Sequence, residues 1–378
     1  MRPVLKPALR RLWRDATTVQ LGLDPDRAVV LGGCDRSVAA LLEALDGTRD
    51  RVQLLLEAAR RGIDPALVDE LLLALSRAGA LDDAARPLGE LALLQPVERD
   101  RLEPDRVGLS LRSGQPGAAV DVLTRRRRSH LAVIGTGRVG APLAAHLATA
   151  GVGALTLVDP RPTRPADLAA GGLPPTAIGR PRAIAAGDAI RESSPATRVG
   201  DSATVPASCD LVVVTVPDRE LTDLLVRDRL PHLFVGVRGA TAVVGPLVLP
   251  AVTSCARCHD LIRADRDPAW PRLAAQLQAQ PADGGEIAVA GIAAAIGAAA
   301  ALEALATLQA PDAPDAAGRL TDATLELSPP DWRLRRRSWR PHPDCPCGAG
   351  GAADEELAGA ASYAVFRSRA DIGDPGRP

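Results

Sequence analysis

The chain has 378 residues, which exceeds one ordinary hydrophobic core and predicts two or three domains of roughly 100 to 200 residues. Its 45 lysine and arginine residues balance 46 aspartate and glutamate residues, and the net charge of −1 excludes a global field that attracts nucleic acid or an anionic membrane. Lys6 is the only lysine, and asparagine does not occur. Chemistry that needs either residue type in the body of the protein must therefore use a substitute.

The first 85 residues predict a small α+β domain. Apolar runs flank the turn at 24–26, so residues 19–33 are expected to form a hairpin. Apolar positions at helical spacing predict three short helices between Asp35 and Gly79. A hairpin with three short helices resembles a winged-helix peptide-recognition module, and a plain helical domain is the alternative.

Residues 86–128 lose this regularity, because four prolines lie among charged residues. We interpret them as a linker with one helix at most. The run Arg125–Arg128 precedes an apolar strand and has no aromatic residues nearby. This favours solvated charges at the start of the strand over a nucleic-acid site. At the other end, residues 349–378 are expected to form a flexible tail.

From residue 129 the chain alternates short apolar strands with helices, a pattern typical of a parallel sheet covered on both faces. We therefore expect a doubly wound, Rossmann-like α/β domain. The predicted elements are a strand at 131–134, a helix at 140–150, a strand at 154–158, a helix at 183–191 and a strand at 210–216.

Two further patterns concern location. The amino terminus lacks the apolar run and cleavage site of a secretory signal, so we expect a cytoplasmic protein. Segment 287–302 is uncharged, but it is shorter than the roughly 20 residues that a bilayer requires and consists mostly of alanine and glycine. A closely packed core or interface helix is therefore expected there, and no membrane span.

Residues 135–140 fit the G-x-G-x-x-G pattern between the first strand and the first helix of the α/β domain. Gly135 permits a tight turn, Gly137 lets the backbone approach a phosphate, and Gly140 lets helix and strand pack closely. Asp159 ends the second strand, where an acid accepts hydrogen bonds from ribose hydroxyls. These residues predict an adenine-nucleotide site without distinguishing a dinucleotide from ATP.

Four of the six cysteines form two close pairs, which are Cys255 with Cys258 and Cys345 with Cys347. Disulfides are disfavoured in a cytoplasmic chain, so these pairs indicate a metal. Four thiolates satisfy the tetrahedral preference of Zn²⁺ and leave no open position, which predicts a structural zinc site. His259 and His342 adjoin the pairs and are alternative ligands. Cys34 and Cys209 are expected to be buried structural thiols.

The glycine loop, the acid after the second strand and the paired cysteines together resemble the ThiF family of the ubiquitin-activating superfamily. The resemblance covers roughly residues 129–348. It implies a ThiF domain with structural zinc that uses ATP and Mg²⁺ to adenylate the carboxyl end of a small carrier protein or peptide. The helix at 287–308 resembles one found where family members dimerise, which implies a homodimer. The stretches that carry the resemblance to the ThiF family most specifically are 131–160, 178–186, 210–218 and 254–260.

The resemblance also assigns individual roles. Gly135, Gly137 and Gly140 would form the nucleotide loop, and Asp159 would hold the ribose. Asp218 matches the family's metal-binding aspartate, and Arg182 falls where the family places its catalytic lysine.

Two departures from the family's pattern indicate a partly degenerate ATP site. Asp167 replaces an asparagine, and its charge would oppose nucleotide binding. The family's arginine that contacts the γ-phosphate is missing, and Arg161 or Arg164 would have to fill its role.

Three functions follow from these observations. The first is an adenylyltransferase-like enzyme. The second is a non-catalytic partner of a separate ATP-dependent cyclodehydratase, as in the branch of ThiF-like proteins with an amino-terminal winged helix that serves azole-peptide biosynthesis. That partner would bind a precursor leader peptide through an edge strand of the hairpin at 19–33. The third, an NAD-dependent oxidoreductase, rests on the glycine loop alone.

Overall fold

The computed structural model describes residues 1–216, 218–279, 284–309 and 320–349, so the predicted tail lies outside the described residues apart from Ala349. Two compact units make up the chain. The first comprises Met1–Ser129, Leu147–Ala154 and Ile190–Arg198. The second comprises His130–His146, Leu155–Ala189 and the described residues from Val199 onward.

The first unit begins with short strands and three helices that lie where the apolar spacing predicts them. Aspartate side chains cap the amino termini of all three helices. The predicted hairpin forms, and β2 extends it to an antiparallel sheet in the order β2-β3-β4, while β1 pairs with β5. These elements are β1 (Pro3–Leu5), β2 (Arg11–Trp13), β3 (Val19–Leu21), β4 (Val29–Leu31), α1 (Arg36–Ala44), α2 (Arg51–Arg60), α3 (Pro65–Arg77) and β5 (Leu81–Asp83).

The interpretation of residues 86–128 as a linker with one helix at most was wrong. A 3-10 turn at Gly89–Leu93 leads into two α-helices, α4 (Pro96–Ser113) and α5 (Ala118–Arg128). Pro104 lies inside α4 and does not end it. Leucines and small apolar residues of these helices form a buried cluster of their own, and that burial outweighs the breaking tendency of the proline.

The arginine run Arg125–Arg128 is the last turn of α5. The interpretation of these residues as solvated charges at the start of a strand was therefore also wrong. Arg126 is buried, and its Nη1 lies 3.2 Å from Asp105 Oδ1 and 3.2 Å from the carbonyl oxygen of Ala150. Burial lowers the pKa of Arg126, and the charge of Asp105 opposes that shift. A buried guanidinium with these partners is a structural element of the first unit.

The only lysine is likewise structural. Lys6 is 1% exposed, and its Nζ donates a 2.6 Å hydrogen bond to the carbonyl oxygen of Ser110 in α4. The Ser110 hydroxyl in turn donates to Asp82, which also accepts from the backbone N–H of Gly117. This network binds β1 and β5 to the two helices that follow, so Lys6 belongs to the core of the first unit.

The rest of the chain builds an eight-stranded sheet in the order β13-β12-β11-β10-β9-β6-β7-β8. Strands β6, β9 and β10 run parallel, as predicted for a Rossmann-like domain, whereas β10 to β13 are antiparallel. The elements are β6 (His130–Ile134), α6 (Gly140–Thr149), β7 (Ala154–Val158), α7 (Arg182–Ser193), β8 (Arg198–Asp201), β9 (Leu211–Val214), α8 (Arg219–Arg227), β10 (His232–Arg238), β11 (Thr241–Val248), α9 (Ala256–Arg266), α10 (Trp270–Gln278), α11 (Ile287–Gln309), β12 (Ala323–Ser328) and β13 (Arg333–Ser338).

Helix α11 is long and apolar enough to cross a membrane by length and composition, and within the described residues it is the one helix of this kind. Its alanine-rich face packs against β10 and β11. A Cβ atom on Gly297 would lie 2.6 Å from Val235 Cγ1 and 2.9 Å from Leu143 Cδ1. The small residues therefore serve close packing of the helix on the sheet, as predicted for a core helix.

Candidate functional site

A cavity of about 740 Å³ lies in the second unit, beside the carboxyl ends of β6 and β9. Its walls are the loop between β6 and α6, the segment 161–167 after β7, the first residue of α7, and Thr215 and Val216 after β9. In open α/β sheets this is the edge where ligands bind. The cavity therefore coincides with the nucleotide site that the glycine pattern predicts.

Two of the three predicted glycines are required by the backbone. Gly135 has φ of +85°, and a Cβ there would lie 2.5 Å from Thr215 Oγ1. A Cβ on Gly140 would lie 1.8 Å from the carbonyl oxygen of Gly135. At Gly137 the nearest atom would be Arg182 Nη1 at 3.6 Å, an ordinary contact, so this glycine instead keeps the cavity wall free of a side chain.

Asp159 follows β7 with its side chain fully buried. Its Oδ2 accepts a 2.9 Å hydrogen bond from the backbone N–H of Thr136. Arg161 binds both carboxylate oxygens, with Nε 2.8 Å from Oδ1 and Nη2 2.8 Å from Oδ2. Burial raises the pKa of Asp159, but the hydrogen bonds from Arg161 and Thr136 outweigh it, and the net pKa is lowered. The predicted ribose-binding acid is thus an ionised carboxylate that Arg161 covers.

Arg182, at the position of the family's lysine, and Asp167, at the position of its asparagine, form one ion pair. Arg182 is 5% exposed, and its Nη2 lies 2.6 Å from Asp167 Oδ2. Its Nη1 lies 3.6 Å from Asp159 Oδ2, so Arg182 bridges two buried carboxylates. Asp167 also accepts a hydrogen bond from the backbone N–H of Arg164. The negative charge at residue 167 is therefore compensated within the site.

Arginines give the cavity an excess of positive charge. Arg138, Arg161, Arg164 and Arg182 line it, against the carboxylates of Asp167 and the adjacent Asp159. The Nε atoms of Arg138 and Arg182 are buried and have no hydrogen-bond partner among the described residues. Helix α6 adds the partial positive charge of its amino terminus. Such a site suits a polyanion such as the phosphate chain of a nucleotide.

Asp218, the predicted metal-binding residue, is not among the residues that line this cavity. It caps the amino terminus of α8, where its Oδ1 accepts a 2.8 Å hydrogen bond from the backbone N–H of Leu221. Its position after β9 is the one that the sequence predicts. Its role in metal binding stays a prediction.

Replacing Asp159 with asparagine is expected to lower the free energy of unfolding by about 2 kcal/mol at neutral pH, because Arg161 and the buried Arg182 lose a shared carboxylate. The pKa of Asp159 is lowered in the folded state, so its contribution is complete above its unfolded-state pKa, about 3.9, and is lost as the pH falls through the folded value. Urea unfolding should therefore show a difference between the two proteins that shrinks below about pH 4.

The matched control for this experiment is Asp188→Asn. Asp188 pairs with Arg180 at the surface, with both side chains 47% exposed, and its replacement should change the free energy of unfolding by less than about 0.5 kcal/mol. A stability difference for Asp159→Asn that persists unchanged into strong acid would contradict the assignment.

The four predicted zinc ligands come together in one cluster. The sulfur atoms of Cys255, Cys258, Cys345 and Cys347 lie within 4.8 Å of one another, with Sγ–Sγ distances of 3.8, 3.7 and 3.5 Å for 255–258, 255–345 and 258–347. A tetrahedral zinc site with Zn–S bonds of about 2.3 Å requires sulfur atoms about 3.8 Å apart. Cys255 directly precedes α9, and the hydrogen bond from its thiol lowers the pKa of Cys258. The donor set and its spacing fit a structural zinc ion.

The two adjoining histidines are held by other groups. His259 stacks on Trp339 with ring centroids 4.0 Å apart, and its Nε2 lies 3.2 Å from Ser254 Oγ. His342 Nε2 lies 2.9 Å from Asp265 Oδ2. The cluster of possible ligands contains neither histidine, which favours the four-thiolate alternative.

The remaining cysteines are buried, as predicted. Burial raises the pKa of the Cys209 thiol to about 11, which disfavours the reactive thiolate. The Cys34 thiol donates to the carbonyl oxygen of Leu31 in the core of the first unit.

The fold and site are those of a Rossmann-like ThiF domain with a glycine-loop cavity and a four-cysteine cluster. The ThiF family model matches residues 114–347, which is more than half of the chain, and the protein therefore belongs to the ThiF family.

Solved structures share this fold at low sequence identity. E. coli MccB crystallised with AMPCPP and MccA is 14% identical, with a TM-score of 0.68 over 92% of this chain and 99% of that one. MccB with ATP is 15% identical, with a TM-score of 0.66 over 91% and 99% of the two chains. PaaA is 18% identical, with a TM-score of 0.64 over 88% and 99%. No curated protein sequence matches the chain.

Proposed function

We propose that this protein is an adenylyltransferase-like enzyme that uses ATP to activate the carboxyl end of a peptide. The observation that carries the proposal is the arginine-lined cavity at the glycine loop and the amino terminus of α6. Attack of a carboxylate on the α-phosphate requires positive charge fixed around the phosphates before the reaction begins. The structural likeness to MccB, crystallised with AMPCPP and MccA, supports both the nucleotide and the peptide.

The cofactors follow from the four-cysteine cluster and from the proposed use of ATP. Zinc would hold α9 to the segment that contains Cys345 and Cys347, as a structural ion. Mg²⁺ would accompany ATP and neutralise part of its charge, with Asp218 as the candidate ligand. A homodimer and a cytoplasmic location complete the proposal.

The peptide would be recognised by the first unit, which we propose is a winged-helix-like module. Strand β4 is the last strand of the β2-β3-β4 sheet, and the part of the chain that the structure describes places no further strand beside it. Val30, at the centre of β4, is 50% exposed. An extended peptide can add to such an edge through backbone hydrogen bonds, and a precursor leader peptide would bind there.

ATP–pyrophosphate exchange tests the proposal. Exchange should require a precursor peptide or carrier protein encoded beside this gene, and it should fall about 100-fold in Arg182→Ala and in Asp218→Ala. Asp228→Ala is the control, because Asp228 lies at the opposite end of α8 from Asp218. Binding of ATP without exchange for any of these partners would overturn the catalytic part of the proposal.

The second candidate function is the non-catalytic partner of a separate cyclodehydratase. It is favoured by one observation, the occupation of Asp159 and Arg182 by ion pairs within the site. In that case the protein would bind the leader peptide equally well with and without ATP, as measured by calorimetry. Arg182→Ala would then leave cyclisation by the partner enzyme unchanged.

A further inference from the structure

The segment after β7 contributes two long, exposed side chains to the wall of the cavity. Arg161 and Arg164 both line it, and their side chains are 44% and 62% exposed. Arg182, by contrast, is buried and committed to Asp167. Arg138, the fourth arginine, is half-buried and donates to the carbonyl oxygen of Gly285. The most exposed positive charge of the cavity therefore lies on the segment after β7.

Arg161 covers a group that a nucleotide would need. Its guanidinium occupies both oxygens of Asp159, although only one end of this pair is buried, since the Asp159 side chain is fully buried and the Arg161 side chain is not. If Arg161 moved, Asp159 would keep the hydrogen bond from Thr136 and the charge of Arg182 at 3.6 Å. Its Oδ1 would also keep the 3.2 Å hydrogen bond from the backbone N–H of Arg161. The carboxylate would thus remain supported while the two positions taken by the guanidinium became free for other donors.

We propose that Arg161 exchanges Asp159 for the phosphate chain when a nucleotide binds, and that this exchange frees Asp159 to accept hydrogen bonds from the ribose. The inference rests on the proposed function, because it assumes a nucleotide in this cavity. Arg161 is then a binding residue that disfavours the unphosphorylated nucleoside and favours the triphosphate.

The charges of the site explain why such an exchange is needed. An ion pair of Arg182 with Asp167 carries no net charge, so it contributes less to phosphate binding than a lysine with a neutral partner would. Arg161 makes two charge-assisted hydrogen bonds to Asp159 and can make two of the same kind to phosphate oxygens, so the exchange keeps their number. The phosphate chain carries more negative charge than one carboxylate, and the ribose hydroxyls give Asp159 new hydrogen-bond donors. Movement of Arg161 from Asp159 to the phosphates is therefore favourable when ATP binds. Adenosine has no phosphate, so nothing offsets the loss of the ion pair when it displaces Arg161.

Equilibrium dialysis of the full chain with ATP and with adenosine tests the exchange. Arg161→Ala is expected to weaken ATP binding about ten-fold and to strengthen adenosine binding about three-fold, so the two ligands respond in opposite directions. Arg161→Lys should keep most of the ATP affinity, because it keeps the charge. Arg180→Ala is the control, since Arg180 lies on the same connection between β7 and α7, pairs with Asp188 and does not line the cavity.

The outcomes separate this inference from the proposed function. Wild-type protein that binds neither ATP nor adenosine would overturn the proposed nucleotide site, and the exchange with it. Wild-type protein that binds ATP, with an Arg161→Ala variant that weakens both ligands or changes neither, would overturn the exchange and leave the nucleotide site standing. Opposite shifts of the two affinities, together with an unchanged Arg180→Ala variant, would support the exchange.

Discussion

Replacing Cys258 with serine is expected to abolish zinc binding at the four-cysteine cluster and to lower the thermal unfolding midpoint by about 10 °C or more. Cys258 Sγ lies 3.8 Å from Cys255 Sγ and 3.5 Å from Cys347 Sγ, and the latter residue is 89 positions away in the sequence. A structural zinc ion contributes its binding energy directly to folding, because the unfolded chain holds no preformed site. Zinc content by mass spectrometry and differential scanning calorimetry measure the two effects.

The matched control for the zinc experiment is Cys209→Ala. Cys209 lies in the same unit and is buried, but it belongs to a separate apolar cluster. Its replacement should lower the free energy of unfolding by about 1 kcal/mol through lost packing and leave the zinc content unchanged. Wild-type protein that carries no zinc after expression in zinc-supplemented medium would contradict the assignment.

The four-cysteine cluster and the glycine loop could be predicted from the sequence because both depend on short spacings. Cys255 and Cys258 fall on one helical turn, and a thiol pair at this spacing has few uses besides binding a metal. Gly135 and Gly140 are likewise fixed by one turn between a strand and a helix. Local geometry therefore determines where these residues lie, even though the distant partners Cys345 and Cys347 had to be inferred from chemistry.

Features that depend on distant contacts could not be predicted. Helix α4 continues through Pro104 because its apolar face is buried, a tertiary effect that proline spacing does not reveal. Arg126 is buried through Asp105 and Ala150, and nothing in the arginine run distinguishes it from its neighbours. The antiparallel half of the sheet, β10 to β13, depends on pairings between strands that one apolar pattern cannot specify.

The pairing of Arg182 with Asp167 also could not be predicted from the sequence. Aligned with the family, each residue is a separate departure that weakens the expected ATP site. The 2.6 Å contact between Nη2 and Oδ2 makes them one compensated change, in which the aspartate balances the arginine. In this chain, which has a single lysine and no asparagine, an Arg182–Asp167 ion pair takes the place of the lysine and the asparagine. The pair carries no net charge, whereas a lysine with a neutral partner carries one positive charge.

Replacing Arg182 with methionine is expected to lower the free energy of unfolding by about 3 kcal/mol, because the buried Asp167 loses its closest ion-pair partner and keeps only Arg164, whose Nε lies 3.7 Å away. Adding Asp167→Asn should recover at least half of that loss, since the asparagine oxygen can still accept the hydrogen bond from the backbone N–H of Arg164 while carrying no charge. Arg180→Met, which breaks an exposed pair on the same segment, should change stability by less than about 0.5 kcal/mol. Urea unfolding of the three variants measures these differences in the free energy of unfolding. A double variant that is less stable than Arg182→Met alone would show that the unpaired charge of Asp167 is not the cause of the loss.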